Sequence, residues 1–135
     1  MSGVFACCHE HGDGGDAFDG GAFLIGKTNL NQFATGLVGI RCPTGYCRNP
    51  FHPDYIPGGS SSGAGVSVSA GLVSFGFGSD AGGSGRVPAA LTNTVGFKPT
   101  TGVISVSGFV TRTEGLTCAR SFGCAPYTVS SHRRT

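Results

Sequence analysis

The chain has little charge, almost no lysine, no tryptophan and no long apolar run. Of its 135 residues, 12% are Asp, Glu, Lys or Arg, and the net charge is +2. No basic run exceeds Arg133-Arg134, so a nucleic-acid partner, which needs a basic face, is not expected. The longest apolar runs, such as Ala22 to Ile25, are far too short to span a bilayer, and no membrane partner is expected either. The first residues lack a basic start followed by an apolar stretch; this reads as a cytoplasmic chain without a secretory leader, its six cysteines reduced. Hydrophobic residues at 39% argue against a charge-swollen disordered chain.

Glycine, by contrast, is abundant: 25 residues without a strict three-residue period, which excludes collagen. Glycine loses more conformational freedom on folding than any other residue. A chain that keeps so many needs backbone that turns sharply or approaches something closely, which points to a site built from main chain.

Three zones follow from the pattern. Residues 1–20 form an irregular N-terminal segment without apolar periodicity. Residues 21–109 form the domain proper, and residues 110–135 an irregular tail. In the middle zone, Ala22 to Ile25 reads as a buried strand, and Thr28 or Asn29 as the cap of a helix running to about Leu37. Arg41 to Pro57 is loop. The Gly58–Ser62 cluster opens a small-residue, buried helix to about Leu72. Val73 to Phe77 is a strand, Gly78 to Gly85 a turn, and Val87 to Leu91 a helix. Val95–Phe97 and Val103–Ser105 are short strands. Strands alternating with helices give an α/β class with an at least partly parallel sheet.

Four chemistries compete for the glycines. Gly76-Phe77-Gly78-Ser79-Asp80-Ala81 matches a dinucleotide fingerprint, but no Asp or Glu lies between Ala81 and Thr113 to meet a ribose. The lysines are Lys27 and Lys98, and neither closes a phosphate-binding loop. Cys7, Cys8, His9 and His11 are crowded and lack paired C-x-x-C spacing, so no metal is expected. Arg86 breaks the G-x-S-x-G pattern around Ser84, and His52 and Asp54 read as solvated loop residues. The fourth chemistry is a serine hydrolase without histidine. Gly58-Gly-Ser-Ser-Ser-Gly and Asp80-Ala-Gly-Gly-Ser-Gly-Arg86 both sit where a helix begins. Unpaired N–H groups there suit a developing oxyanion, while two tight turns with serine caps are the bland alternative.

These two clusters, with Val95-Gly-Phe-Lys-Pro-Thr100, form a long composite motif that resembles the amidase signature family. Gly26-Lys-Thr-Asn-Leu-Asn-Gln-Phe-Ala-Thr-Gly-Leu-Val-Gly39 and Arg48 to Gly63 resemble its allophanate hydrolase branch, found also as the hydrolase part of urea amidolyase. The resemblance runs from about Gly21 to about Phe109. It implies the central slice of the amidase signature fold, a mixed sheet flanked by helices. It also implies a Ser–cis-Ser–Lys mechanism: Ser84 the nucleophile, Ser60 the bridging serine on a cis peptide bond, the amides of Ala81, Gly82 and Gly83 with that of Ser84 the oxyanion hole, and Asp80 and Arg86 the loop's support. The implied partner is a small-molecule amide, allophanate or the amide handled by a tRNA-dependent amidotransferase, with the other domains of a urea amidolyase in an intact parent. No cofactor is implied. The family's base is a lysine in an apolar-Lys-Asp setting, which neither Lys27 nor Lys98 occupies. The expectation is therefore a genuine core joined to unrelated ends, an inactive fragment or pseudogene product, with exposed sheet edges and an apolar face.

Overall fold

The computed structural model describes residues 4–7, 21–104 and 119–124. Among the described residues, five strands form one sheet in the order β2-β1-β3-β5-β4. They are β1 (Val4–Cys7), β2 (Phe23–Lys27), β3 (Phe75–Asp80), β4 (Val95–Phe97) and β5 (Ala119–Cys124). β1 pairs in parallel with β2 and β3, whereas β5 runs antiparallel to β3 and β4. Helices α1 (Ser62–Ser69) and α2 (Arg86–Leu91) follow the two serine clusters.

The mixed α/β class expected from the alternation is the class found, but the two end zones are not wholly irregular. β1 lies inside the first and β5 inside the last, and both occupy interior positions of the sheet. Neither has a local signature: Val4-Phe-Ala-Cys is four residues long, and pairing partners distant in sequence stabilise it. The expectations for the remainder of residues 1–20 and 110–135, the cysteine–histidine cluster beyond Cys7 included, fall outside the described residues.

Three local expectations are corrected. β2 is not buried; Phe23, Leu24 and Ile25 are 65%, 44% and 57% exposed, because β2 is an edge strand, and topology rather than apolar content sets burial there. At the other edge, Val95 and Phe97 of β4 are exposed too. No helix runs from Thr28 to Leu37. A single 3-10 turn, Gln32–Ala34, interrupts the loop, with Phe33 and Ala34 at φ of 56° and 51°. The Asn31 side chain binds the carbonyls of Thr35 and Gly36, an alternative to the helical ladder that asparagine offers readily. Val103 and Ile104 are not strand.

α1 is nearly all small residues, and Ser62, Gly63, Ala64, Gly65 and Val68 are buried. Smallness lets it lie close to its neighbours. A Cβ on Gly65 would come within 3.0 Å of Thr92 Oγ1 and 3.1 Å of Pro88 Cβ, so α1 and α2 touch almost backbone to backbone. Val68 and Val73 form the buried apolar contact beneath. Both helices thus deliver their N-terminal loops to the same region, which positions the site.

Candidate active site

Two serine loops meet there. The Ser61 amide donates to the Ser84 carbonyl at 3.1 Å, and Ser61 Oγ donates to the Ser79 carbonyl at 3.2 Å. Ser60, Ser61 and Ser62 are at most 2% exposed, and Ser84 is 7% exposed. The Gly59–Ser60 peptide bond is cis. Buried hydroxyls ordinarily find partners, yet among the described residues the Oγ atoms of Ser60, Ser62 and Ser79 have none.

The second loop is organised by Asp80. β3 extends to this residue rather than ending at Phe77, because Gly78, Ser79 and Asp80 pair with Ser121, Arg120 and Ala119 of β5. The strand carries the carboxylate to a position with no solvent exposure. Oδ1 accepts from the Gly83 amide at 2.7 Å and from Arg86 Nη2 at 3.1 Å. Oδ2 accepts from the amides of Gly85 and Arg86, each at 3.2 Å, and from Arg86 Nε at 2.9 Å. Burial alone would raise the Asp80 pKa; the Arg86 guanidinium and the three amides outweigh it and hold the carboxyl below its usual value. The bond from Asp80 raises the Arg86 pKa in turn.

The carboxylate therefore caps α2 and brackets Ser84 by its neighbours on both sides. This divides the expected oxyanion donors. The Gly83 amide is committed to Asp80, whereas those of Ala81, Gly82 and Ser84 have no acceptor among the described residues. Ala81 and Gly82 are also solvent-exposed, as an approach for a ligand requires.

The first loop is held from behind by residues outside the two serine clusters. Asn31 is fully buried, and its amide donates to the Ser60 carbonyl at 2.9 Å. The Gly63 amide donates to the Asn29 carbonyl at 2.9 Å, and the Gly59 amide to the Leu37 carbonyl at 2.8 Å. Asn49, also buried, donates through Nδ2 to the carbonyls of Ile56 and Leu91 and accepts from the Phe51 amide; it ties the proline-rich loop to the end of α2. Asn31 and Asn49 both lie in the segments that resemble the allophanate hydrolase branch, but locally an asparagine amid glycine and apolar residues reads as a turn residue, so neither stands out as a site residue.

His52 and Asp54 lie 3.9 Å apart with exposed side chains, away from the serine loops' hydrogen bonds. Near them a pocket of about 270 Å³ is lined by Tyr46, Cys47, Arg48, Asp54 and Tyr55 among others, with no residue of either serine loop. The Thr44 hydroxyl, 3.2 Å from Cys42 Sγ, lowers the Cys42 pKa against a smaller opposing effect of burial. Burial raises that of Cys47. Since the thiolate is the reactive form, iodoacetamide at neutral pH should modify Cys42 ~3-fold or more faster than Cys47. Peptide mass spectrometry reads the two sites separately, and equal rates would contradict the assignment.

Fold and site together define a class: a mixed α/β sheet whose polar centre is made of two cross-bonded serine loops, one clamped by a buried carboxylate. The chain belongs to the amidase family, whose model matches residues 18–123. That match reaches past Phe109 and almost to the end of β5. The chain is 51% identical over 104 residues to the urea amidolyase of Lachancea kluyveri, an alignment covering 77% of this chain and 6% of that protein. It is 50% identical over 98 residues to a glutamyl-tRNA(Gln) amidotransferase chain of Salinibacter ruber, covering 73% and 19%. Among solved structures, Kluyveromyces lactis allophanate hydrolase superposes with a TM-score of 0.82 at 39% identity, over 89% of this chain and 23% of that one. The chain thus spans a small part of the length of these relatives. No helix among the described residues is long and apolar enough to cross a membrane.

Proposed function

We propose that these residues are the catalytic slice of an amide hydrolase acting on allophanate, a carboxylate-bearing urea amide, with ammonia and carbon dioxide as products. The observation that carries the reading is the bond between Ser61 and Ser84, which draws the two serine loops together over the Asp80 clamp. Ser84 Oγ attacks the amide carbonyl, forming a C–O bond. Its proton passes by way of Ser60 to a base and then to the departing nitrogen as the C–N bond breaks. Water cleaves the resulting acyl-enzyme. The amides of Ala81, Gly82 and Ser84 are the donors proposed for the oxyanion, with Gly83 supporting them through Asp80. Other domains of a urea amidolyase are the proposed partners of an intact parent. The allophanate assignment rests on the Gly26–Gly39 and Arg48–Gly63 segments and on the similarity to urea amidolyase and allophanate hydrolase; another amide, as in the tRNA-dependent amidotransferases, is the competing substrate.

A second reading, an inert fragment, is favoured by two observations. The Ser60 hydroxyl is buried without a partner among the described residues, and the lysines, Lys27 and Lys98, belong to other motifs. Loss of one member of a proton relay lowers turnover by ~10⁴–10⁶-fold, so allophanate turnover by this chain should be weak or undetectable.

A fluorophosphonate probe separates the readings, because its phosphorus is far more electrophilic than an amide carbonyl. The probe should label Ser84, Ser84→Ala should remove the label, and Ser60→Ala should slow it by about 10²-fold. A folded chain that shows no label at Ser84 supports the inert reading.

A further inference from the structure

Asn31 belongs to neither serine cluster, yet its backbone and side chain are bonded throughout. Its amide donates to the Ser60 carbonyl at 2.9 Å, and its carbonyl accepts from the Ala34 amide at 2.9 Å. Nδ2 donates to the Thr35 and Gly36 carbonyls at 3.0 and 2.9 Å, and Oδ1 accepts from the Arg41 amide at 3.0 Å. Nδ2 also lies 2.8 Å from where a Cβ on Gly59 would stand. The side chain is thus the closing knot of the loop 31–41, and its backbone grips the serine that follows Gly59. The backbone amide is common to any residue but proline, so what asparagine adds is the side-chain bonding that fixes where that amide lies.

We propose that Asn31 is the positioning residue for Ser60. By fixing both sides of its own loop to backbone, it holds the Ser60 carbonyl, and with it the direction in which the Ser60 hydroxyl points. The proposal rests on the reading of Ser60 as proton relay, but its geometry is testable without turnover. Leucine at this position has a similar branched shape and can make none of the side-chain bonds, so the Thr35 and Gly36 carbonyls and the Arg41 amide would lose their partners and the grip would slacken. Asn31→Asp keeps the acceptor for the Arg41 amide but sets a carboxylate oxygen against the Thr35 and Gly36 carbonyls in a fully buried site, so it should be at least as disruptive as leucine.

The first measurement is amide hydrogen exchange of the unaltered full chain by NMR. The amides of Asn31, Ser61 and Gly63 should exchange as one cooperative unit, within about threefold of one another once corrected for intrinsic rates. An Asn31 amide exchanging about tenfold faster than the other two overturns the proposal. The second compares Asn31→Leu and Asn31→Asp with the wild type. In the leucine variant, exchange across residues 58–63 should rise about tenfold or more while β3 is unchanged, and in the aspartate variant by at least as much. A rise confined to 31–41, or one spread evenly over the chain, overturns the proposal. Where Ser84 takes the fluorophosphonate label, the leucine variant should lower the limiting labelling rate and leave the probe's half-saturating concentration unchanged. Absence of label in the wild type would count against the proposed function alone, since the exchange results stand without it. If the leucine variant does not fold, the wild-type exchange pattern decides.

Discussion

Replacing Gly39 with alanine should abolish cooperative folding at about 25 °C. A Cβ at this position would collide with the Gly58 carbonyl oxygen, and would lie 2.8 Å from the Gly58 carbonyl carbon and 2.9 Å from Pro57 Cγ. Most of what it meets is backbone, which cannot rotate away as a side-chain tip can. Gly39 also has φ of +89°, where an L side chain costs on the order of 1–2 kcal/mol before any clash is counted. Relief requires the loops 31–41 and 57–60 to separate. Separation breaks the Gly59-to-Leu37 and Asn31-to-Ser60 bonds, and each buried group left unpaired costs about 1–3 kcal/mol. The sum is roughly 5 kcal/mol, the whole stability of many small domains. Gly82→Ala is the matched control. Nothing lies within 4 Å of its added Cβ and its φ is not positive, so its thermal midpoint should stay within about 2 °C of wild type. Circular dichroism melts of the two variants make the comparison. A cooperative Gly39→Ala melt near the wild-type midpoint would show that the two loops are not in contact as described.

The comparison of glycines shows what a sequence can reveal here. A high glycine count announces close backbone approach, and the Gly58-to-Gly63 and Asp80-to-Arg86 clusters announce where. The helices behind them were readable too, because Ala64, Val68 and Ala89 recur in short segments bounded by turn residues. What was hidden depends on partners far along the chain. Val4–Cys7 becomes an interior strand only because β2 and β3 flank it. Phe23-Leu24-Ile25 carries a core composition at an edge position. Gly78-Ser79-Asp80 has turn composition, yet it is strand because β5 supplies its ladder, and that extension is what carries Asp80 into the buried site. Asn31 was hidden in a different way. Its side-chain bonds reach 4, 5 and 10 residues on, and local propensity has no term for the last. The resemblance named Ser60 and Ser84 as a pair, but which amides remain for an oxyanion depended on where the Asp80 carboxylate settled.

Asp80→Asn should destabilise the chain by on the order of 3 kcal/mol at about pH 7 and remove one component of its acid sensitivity. The size follows from the partners. The wild-type carboxylate accepts five hydrogen bonds, two from a guanidinium and three from amides. An amide side chain offers one acceptor oxygen in place of two and no charge, so some of those donors lose their partner, and hydrogen bonds to charged groups are worth about 1.5–3 kcal/mol each. The total stays near the worth of one such bond because Arg86 is half exposed and water replaces part of what it loses. The pH dependence has a definite sign. The folded pKa of Asp80 lies below its ordinary value of 3.8, so as pH falls the unfolded carboxyl takes up its proton first. The stabilisation from this group is therefore complete above about pH 5, declines as pH drops through the unfolded value near 4, and is gone once pH passes the folded value. The difference in unfolding free energy between wild type and Asp80→Asn, measured by urea denaturation from about pH 7 down to about pH 3, should be constant at neutral pH and shrink below about pH 5. A difference that stays constant to about pH 3, or widens, would mean that Asp80 is not held ionised by Arg86 and the loop amides. The same variant tests function by another route. Gly83 and Gly85 flank Ser84, and both are bound to this carboxylate, so loosening them should slow the labelling of Ser84 even in a medium where the variant remains fully folded. Normal labelling by a folded Asp80→Asn chain would leave Asp80 as a fold determinant and detach it from the chemistry of the serine.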